Sequence, residues 1–182
     1  MKREIEIKLA VPNARSARRR LLAAGFEVSR SRVFENNLVF DTADFALRQS
    51  SRLLRLRQAG SALTMTYKGV PEAGKHKSRE ELEVGVTGLD AMSQIVAHLG
   101  YRQVFRYEKY RTEFRQPRRA GVAMLDETPV GVFLELEGAA PWIDRTARTL
   151  GFDEDAYITA SYGRLYLAWC ASLDTKPTNM IF

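Results

Sequence analysis

One cysteine, Cys170, and two histidines, His76 and His98, are all that 182 residues offer in thiol and imidazole chemistry. A single cysteine excludes an intramolecular disulfide framework and a thiolate metal cluster, and two histidines so far apart do not make a zinc site. Any resident metal is therefore expected to be a hard cation on carboxylate oxygens. No apolar run approaches the roughly 20 residues that cross a bilayer. The start, Met1-Lys2-Arg3-Glu4, leads into a strand pattern rather than the apolar core of a signal peptide. A cytoplasmic location without a membrane partner is expected. No tandem repeat, low-complexity run or long linker divides the chain, which predicts one domain over 1–173 and a loosely ordered tail over 174–182. Cys170, beside Trp169 in a late helical pattern, reads as a buried structural thiol.

The net charge is +6 and 45% of the residues are hydrophobic, which suits an ordinary core and an attraction to anions. The positive charge is not gathered into an arm. Arg15, Arg18, Arg19 and Arg20 cluster on a segment, Asn13 to Ala24, that reads as a helix capped by Asn13 and ended by Gly25. Leu21 and Leu22 are expected on its buried side, and the arginines on a solvated face.

Beyond Gly25 the chain reads mostly as strands, near 26–40, 52–58, 62–68, 79–86, 103–116, 121–127 and 131–137, separated by Gly, Pro or polar turns. With the opening segment there are about eight. Helical patterns cover Leu89 to Leu99, Trp142 to Leu150 and Tyr157 to Leu173. Gly69 to Lys77 reads either as a mobile basic loop able to close over a ligand or as a solvated hairpin turn.

The strands share one property. In Glu4-Ile5-Glu6-Ile7-Lys8 the charges fall on one parity and the apolar residues on the other, which in a strand means opposite faces. The same parity recurs in Leu53-Leu54-Arg55-Leu56-Arg57, in Thr64, Thr66 and Lys68, in Arg79, Glu81 and Glu83, in Lys109, Arg111 and Glu113, and in Glu135 and Glu137. A single antiparallel sheet with a wet face alternates in this way. Over six strands a second reading competes: a closed eight-stranded antiparallel β-barrel of α+β class, helices packed outside, its charged face lining a tunnel.

Such a tunnel holds a basic set, Lys8, Arg55, Arg57, Lys68, Arg79, Lys109 and Arg111, and an acidic set, Glu4, Glu6, Glu81, Glu83, Glu135 and Glu137. Enclosing so many charges costs several kcal/mol each unless they are paired, about the effective penalty for a buried ion, so stability alone does not explain them. A highly anionic ligand that travels with Mg²⁺ or Mn²⁺ satisfies both sets: the cations meet phosphate oxygens and the carboxylates hold metal.

These residues resemble the CYTH family, the triphosphate tunnel metalloenzymes, which include class IV adenylate cyclases, thiamine triphosphatases and inorganic triphosphatases. The opening Glu-x-Glu-x-Lys signature is matched by Glu4, Glu6 and Lys8. Phe40-Asp41-Thr42, Arg55 and Arg57, Lys68, Arg79-x-Glu81-x-Glu83, Lys109 and Arg111, Asp126, Gly131, Phe133, Glu135, Glu137 and Ser161-Tyr162 follow in order. The resemblance implies a tunnel that binds a triphosphate through Lys8, Arg55, Arg57, Lys68, Arg79, Lys109 and Arg111. It implies Mg²⁺ or Mn²⁺ on Glu135 and Glu137, with Asp126 near, and on Glu4 and Glu6. Glu4, Glu6 and Lys8 are the catalytic candidates, and Glu81 and Glu83 are either ligands or partners that orient the cations.

The expected activity is metal-dependent hydrolysis of inorganic triphosphate or of a small organic triphosphate such as thiamine triphosphate. One cyclase branch of the family carries a His-Phe pair ahead of its first strand, whereas Met1-Lys2-Arg3 stands here. Conversion of ATP to cyclic AMP and pyrophosphate is the alternative. A non-catalytic polyphosphate- or RNA-binding module is the third, with the interleaved acids counting against it and against nucleic acid as a partner. A homodimer is left open. Leu165, Tyr166 and Trp169, at helical spacing, are expected to pack.

Overall fold

The computed structural model describes residues 3–182. Eight strands close into a barrel: β1 (Arg3–Val11), β2 (Glu27–Asp41), β3 (Leu53–Ala59), β4 (Ala62–Lys68), β5 (Lys77–Gly85), β6 (Arg102–Arg115), β7 (Val122–Thr128) and β8 (Gly131–Glu137). Their order around the barrel is β1-β5-β4-β3-β2-β6-β7-β8 and every neighbouring pair is antiparallel. The helices are α1 (Ala14–Ala23), α2 (Ala46–Gln49), α3 (Leu89–His98), α4 (Ala140–Thr149) and α5 (Tyr162–Ser172), with a 3₁₀ turn at Glu154–Ala156. No helix among the described residues is long and apolar enough to cross a membrane.

The parity of the sequence decides which face is which. Ile7 and Leu9 of β1, Leu125 of β7 and Leu134 and Leu136 of β8 point outward and are covered by Ala17 and Leu21 of α1 and Trp142, Ile143 and Ala147 of α4. A smaller cluster lies under α3, where Val96 meets Phe40 and Leu56. Asn13 caps α1 by accepting a hydrogen bond from the Ser16 amide at 2.9 Å, and Gly25 ends it at φ +78°, the left-handed region open to glycine. Leu22, expected on the buried side, is 47% exposed: Ala17 and Leu21, four residues apart, form the inward stripe, and Leu22 lies a hundred degrees round from Leu21.

The helix α2 falls in a stretch with no strong helical pattern. It forms because Asp41 accepts from the amides of Leu47 and Arg48, both at 2.9 Å, and Thr42 Oγ1 accepts from Ala46 at 2.9 Å. Phe40-Asp41-Thr42 is thus a capping device at one end of the barrel. The last helix begins at Tyr162 rather than Tyr157, because Ser161 caps it through the Arg164 amide and residues ahead of it are used elsewhere. Ile158 exchanges two backbone hydrogen bonds with Lys8, at 2.8 and 2.9 Å, on the stretch of β1 that β5 does not reach.

The tail makes a contact that its composition does not announce. Strand β7 pairs with β6 only from Tyr110 to Arg115, which leaves the backbone around Tyr107 unpaired on that side. Met180 fills the edge, accepting from the Glu108 amide at 2.9 Å and donating to the Arg106 carbonyl at 3.0 Å, with its side chain fully buried. Around it α5 contributes Tyr162, Tyr166 and Cys170 to a cluster with Tyr107 and Phe133. Helices α1, α3 and α4 therefore clothe the barrel, while α5 seats at one of its mouths.

Gly121, just before β7, supplies a close approach. A Cβ there falls 2.3 Å from the indole ring of Trp142, itself held edge-on by Phe26. Gly121→Ala is expected to cost about 3 kcal/mol through overpacking and to lower the melting temperature by roughly 5–10 °C, read by thermal denaturation.

Candidate active site

The barrel encloses a cavity of about 1290 Å³ open at its ends. Glu4, Glu6, Lys8, Arg55, Arg57, Lys68, Arg79, Glu81, Glu83, Lys109, Arg111, Glu135 and Glu137 all line it. Asp126 is the one expected site residue that does not, being fully buried beneath Lys109, Arg111 and Tyr162.

On one side β1, β4 and β5 interlock. Lys68 bonds Glu4 and lies 3.0 Å from Glu81, Arg79 donates to Glu4 at 3.3 Å, and Lys77 donates to Glu6 at 2.9 Å. Lys8 joins this side to β8, 3.0 Å from Glu135 and 3.4 Å from Glu6. The next wall is built on Asp126, which accepts from Lys109 Nζ at 2.7 Å, from Arg111 Nε and Nη2 at 2.7 and 2.5 Å, and from the Tyr162 hydroxyl at 2.7 Å. Arg111 also bonds Glu135. On the third side Arg55 donates to the Tyr107 hydroxyl at 3.1 Å and Thr66 at 3.2 Å, and Arg57 donates to Glu83 at 2.9 Å. Glu81 is thus in contact with Lys68 of the adjacent β4, and Glu83 reaches across β4 to Arg57 of β3.

Burial alone would raise the Glu6 carboxyl, but Lys8, Lys77 and Lys68 outweigh burial and Glu135 and hold it well below the usual range. Burial likewise opposes ionisation of Glu135, and Lys8, Arg111 and Lys109 reverse it. Burial and the adjoining Asp126 push the Tyr162 phenol far up, so it stays a donor. Glu137 behaves differently: burial, then Glu4 and Glu81, push its carboxyl up to about 7, with Lys68 too little to compensate.

That imbalance is the feature of the donor set that a hard cation would fit. Among the described residues no three acidic, histidine or cysteine groups already converge as a metal cage. The carboxylates are instead committed to lysines and arginines, except Glu137, whose raised value marks an excess of negative charge that a divalent cation would relieve. An all-oxygen set of this kind suits Mg²⁺ or Mn²⁺ rather than a soft metal.

Because the folded value of Glu137 lies above the ordinary 4.5, the folded protein keeps between pH 4.5 and about 7 a proton that the unfolded chain has released. The resulting penalty is absent below pH 4.5 and complete above 7, where it is on the order of 3–4 kcal/mol. In a chelator, Glu137→Gln is expected to melt above the wild type at pH 8 and to lose that advantage by pH 5. A difference independent of pH would count against the assignment.

Several lining residues escaped the sequence reading. Lys77 begins β5 two residues before the expected start, and extending the Arg79 parity backward finds it. Tyr107 carries its hydroxyl into the lumen, as does Tyr162, named in the family match but given no role there; the Tyr162 ring lies under Lys8 and Lys109, whose ammonium groups are 5.2 and 4.9 Å from its centre. The Gly69–Lys77 segment borders one mouth and is tied to α4 and the 3₁₀ turn: Lys75 lies 3.0 Å from Asp144 and 2.6 Å from Glu154, and His76 Nε2 lies 2.8 Å from Asp144.

Known proteins share both sequence and shape with this chain. A Methanocaldococcus jannaschii protein provisionally named an adenylate cyclase is 30% identical over 148 residues, covering 81% of this chain and 83% of that protein. Among solved structures, a Vibrio parahaemolyticus protein, also provisionally named an adenylate cyclase, superposes with a TM-score of 0.76 at 22% identity over 89% of this chain and 96% of that one. A Hippeastrum protein, provisionally named an adenylyl cyclase and described as having a dominant triphosphatase activity, gives 0.66 at 19% identity over 92% and 96%. At these identities the structures speak for the fold. The family model for the CYTH domain matches residues 2–157, most of the chain and all eight strands, and the chain accordingly belongs to the CYTH domain family.

Proposed function

We propose that this protein is a divalent-metal-dependent hydrolase of triphosphate compounds, acting on inorganic triphosphate or a small organic triphosphate such as thiamine triphosphate. CYTH proteins are triphosphatases or cyclases and as a family depend on a divalent metal. The observation that carries the proposal is the interleaving of buried cations and carboxylates around one cavity, most of them bonded across strands. A bare anion suits only the cations and a bare metal only the acids. A metal-bound triphosphate suits both.

In this reading Glu4, Glu6, Glu135 and Glu137 hold Mg²⁺ or Mn²⁺, and Asp126 steadies Lys109 and Arg111 behind them. When bound, the metal supplies charge neutralisation at the phosphoryl oxygens and a more acidic water. Arg55, Arg57, Lys68, Arg79, Lys109 and Arg111 bind phosphate oxygens, with Lys77 as a further cation of the same lining. Lys8, between Glu6 and Glu135, neutralises charge that builds on the transferring group, and Glu4 and Glu6 orient the incoming water. Water adds to the terminal phosphorus and the diphosphate leaves, with no protein nucleophile needed.

A cyclase directs the ribose 3′ hydroxyl at the α-phosphate instead. The feature favouring it is the stack of Phe105, Tyr107 and Tyr166 at one mouth, with ring centres 5.7–5.9 Å apart, a surface on which a base would lie. The name of the M. jannaschii relative points the same way, and the activity of the Hippeastrum protein points to hydrolysis. Purified protein incubated with tripolyphosphate, thiamine triphosphate or ATP in Mg²⁺ or Mn²⁺ is expected to release orthophosphate. Cyclic AMP with pyrophosphate as the products would replace hydrolase by cyclase, and metal-independent binding without turnover would make the protein a binding module.

A further inference from the structure

Behind the phosphate-facing cations, three enclosed side-chain atoms have no hydrogen-bond partner: Glu35 Oε2, Asn37 Oδ1 and Arg55 Nε. Glu35 and Asn37 are alternate residues of β2 and share a face. Glu35 stands opposite Lys109 of β6, and Asn37 opposite Arg57 of β3. Glu35 is 1% exposed. Burial would raise its carboxyl, but Lys109, Arg111, Arg57 and Arg55 bring it down to about 2, so it is charged at neutral pH.

Its contacts are unusual in kind. The Glu35 oxygens lie 3.5 Å from Arg57 and 3.6 Å from Lys109, beyond hydrogen-bonding distance, while Lys109 spends a direct bond of 2.7 Å on Asp126 and Arg57 one of 2.9 Å on Glu83. Glu35 balances the charge of the two cations without taking their donors.

We propose that Glu35 is a positioning residue that sets phosphate affinity from behind the site: an internal counter-anion that weakens the tunnel's hold on substrate and product. The inference rests on the triphosphate reading above. In the free protein Glu35 makes the cluster of cations tolerable. Once phosphate arrives its charge stays in place and repels the ligand across a poorly screened interior, which limits residence of the diphosphate product.

The consequence has a sign that scaffolding does not share. Loss of a residue that merely held Lys109 and Arg57 in place would loosen binding, whereas loss of a counter-anion tightens it. Glu35→Gln, measured by calorimetric titration with diphosphate in Mg²⁺, is expected to bind about tenfold more tightly than the wild type, with KM for tripolyphosphate falling in parallel and kcat limited by slower release. Asn37→Asp adds a charge two residues along the same face and is expected to weaken diphosphate by a similar factor. Unchanged or weaker binding by a natively melting Glu35→Gln overturns the proposal. Should that variant fail to fold, unchanged or tighter binding by Asn37→Asp overturns it. Wild-type protein that binds neither diphosphate nor tripolyphosphate overturns this inference together with the triphosphate reading, and wild-type binding without the opposed shifts overturns this one alone.

Discussion

Asp126→Ala is expected to lower the melting temperature by about 10 °C and to leave little activity. Asp126 is fully buried and accepts four hydrogen bonds from three side chains, Lys109, Arg111 and Tyr162. Truncation keeps those donors buried and removes their acceptor. Arg111 retains Glu135, but Lys109 is left with Glu35 at 3.6 Å, and Tyr162 loses the only hydrogen bond its hydroxyl makes among the described residues. Breaking a buried ion pair from one side costs about 3–5 kcal/mol, and in a chain of this length each kcal/mol moves the transition by roughly 2–4 °C. Activity falls for a second reason, because two cations of the proposed phosphate site, Lys109 and Arg111, take their orientation from this carboxylate. Asp126→Asn keeps shape and some acceptor capacity and is expected to fall between. Thermal melts and tripolyphosphate turnover on the same samples test both effects, and an unaltered melt would show that the cluster is not held as described.

Glu135→Ala is expected to reduce kcat on the order of a thousandfold even in saturating Mg²⁺, with a far smaller effect on KM. Glu135 lies where two walls meet, bonded to Lys8 on one side and Arg111 on the other. Its loss removes a proposed metal ligand and frees both cations from the geometry in which they would receive charge from the transferring phosphoryl group. Arg57→Ala, remote from that junction and partnered by Glu83, is expected instead to raise KM with kcat nearly kept. Steady-state kinetics separate the two patterns. Full activity of Glu135→Ala in saturating metal would remove Glu135 from the mechanism.

The barrel was legible because strand parity is a strong code when one face must be apolar. Ile7 and Leu9 against Glu6 and Lys8 state both the strand and its orientation, and repetition of that code across β3, β5, β6 and β8 implies closure. Glu35 was not legible in this way. Strand β2 is bent by register shifts at Val28/Arg30 and Arg30/Val33, and its first half is exposed on both parities, so alternation gives no phase from which to read Glu35 and Asn37 inward. Lys77 was hidden by its place at the end of a basic, Pro- and Gly-containing stretch, which suggested a loop or turn where the ladder had already begun. The tail was hidden for a third reason: Met180 is ordered by an edge of β6 that β7 leaves open, a property of how two strands differ in length rather than of the residues 174–182 themselves. Asp126 was found only through the family resemblance, since Thr128 and Met124, its neighbours on the same face, carry no charge.

The strand order also dictates when the tunnel can come into being. The first strand of the chain has no early partner: β1 pairs with residues 77–80 on one edge and 132–137 on the other. During synthesis Glu4 and Glu6 can meet their β4 and β5 partners once residue 80 has emerged, but the Lys8–Glu135 contact and the closing seam must wait for β8. Such distant pairing predicts slow folding, with barrel closure as a late step. A chain interrupted before β8 carries every cation of the proposed phosphate site, Lys8 to Arg111, in a sheet that has not yet closed.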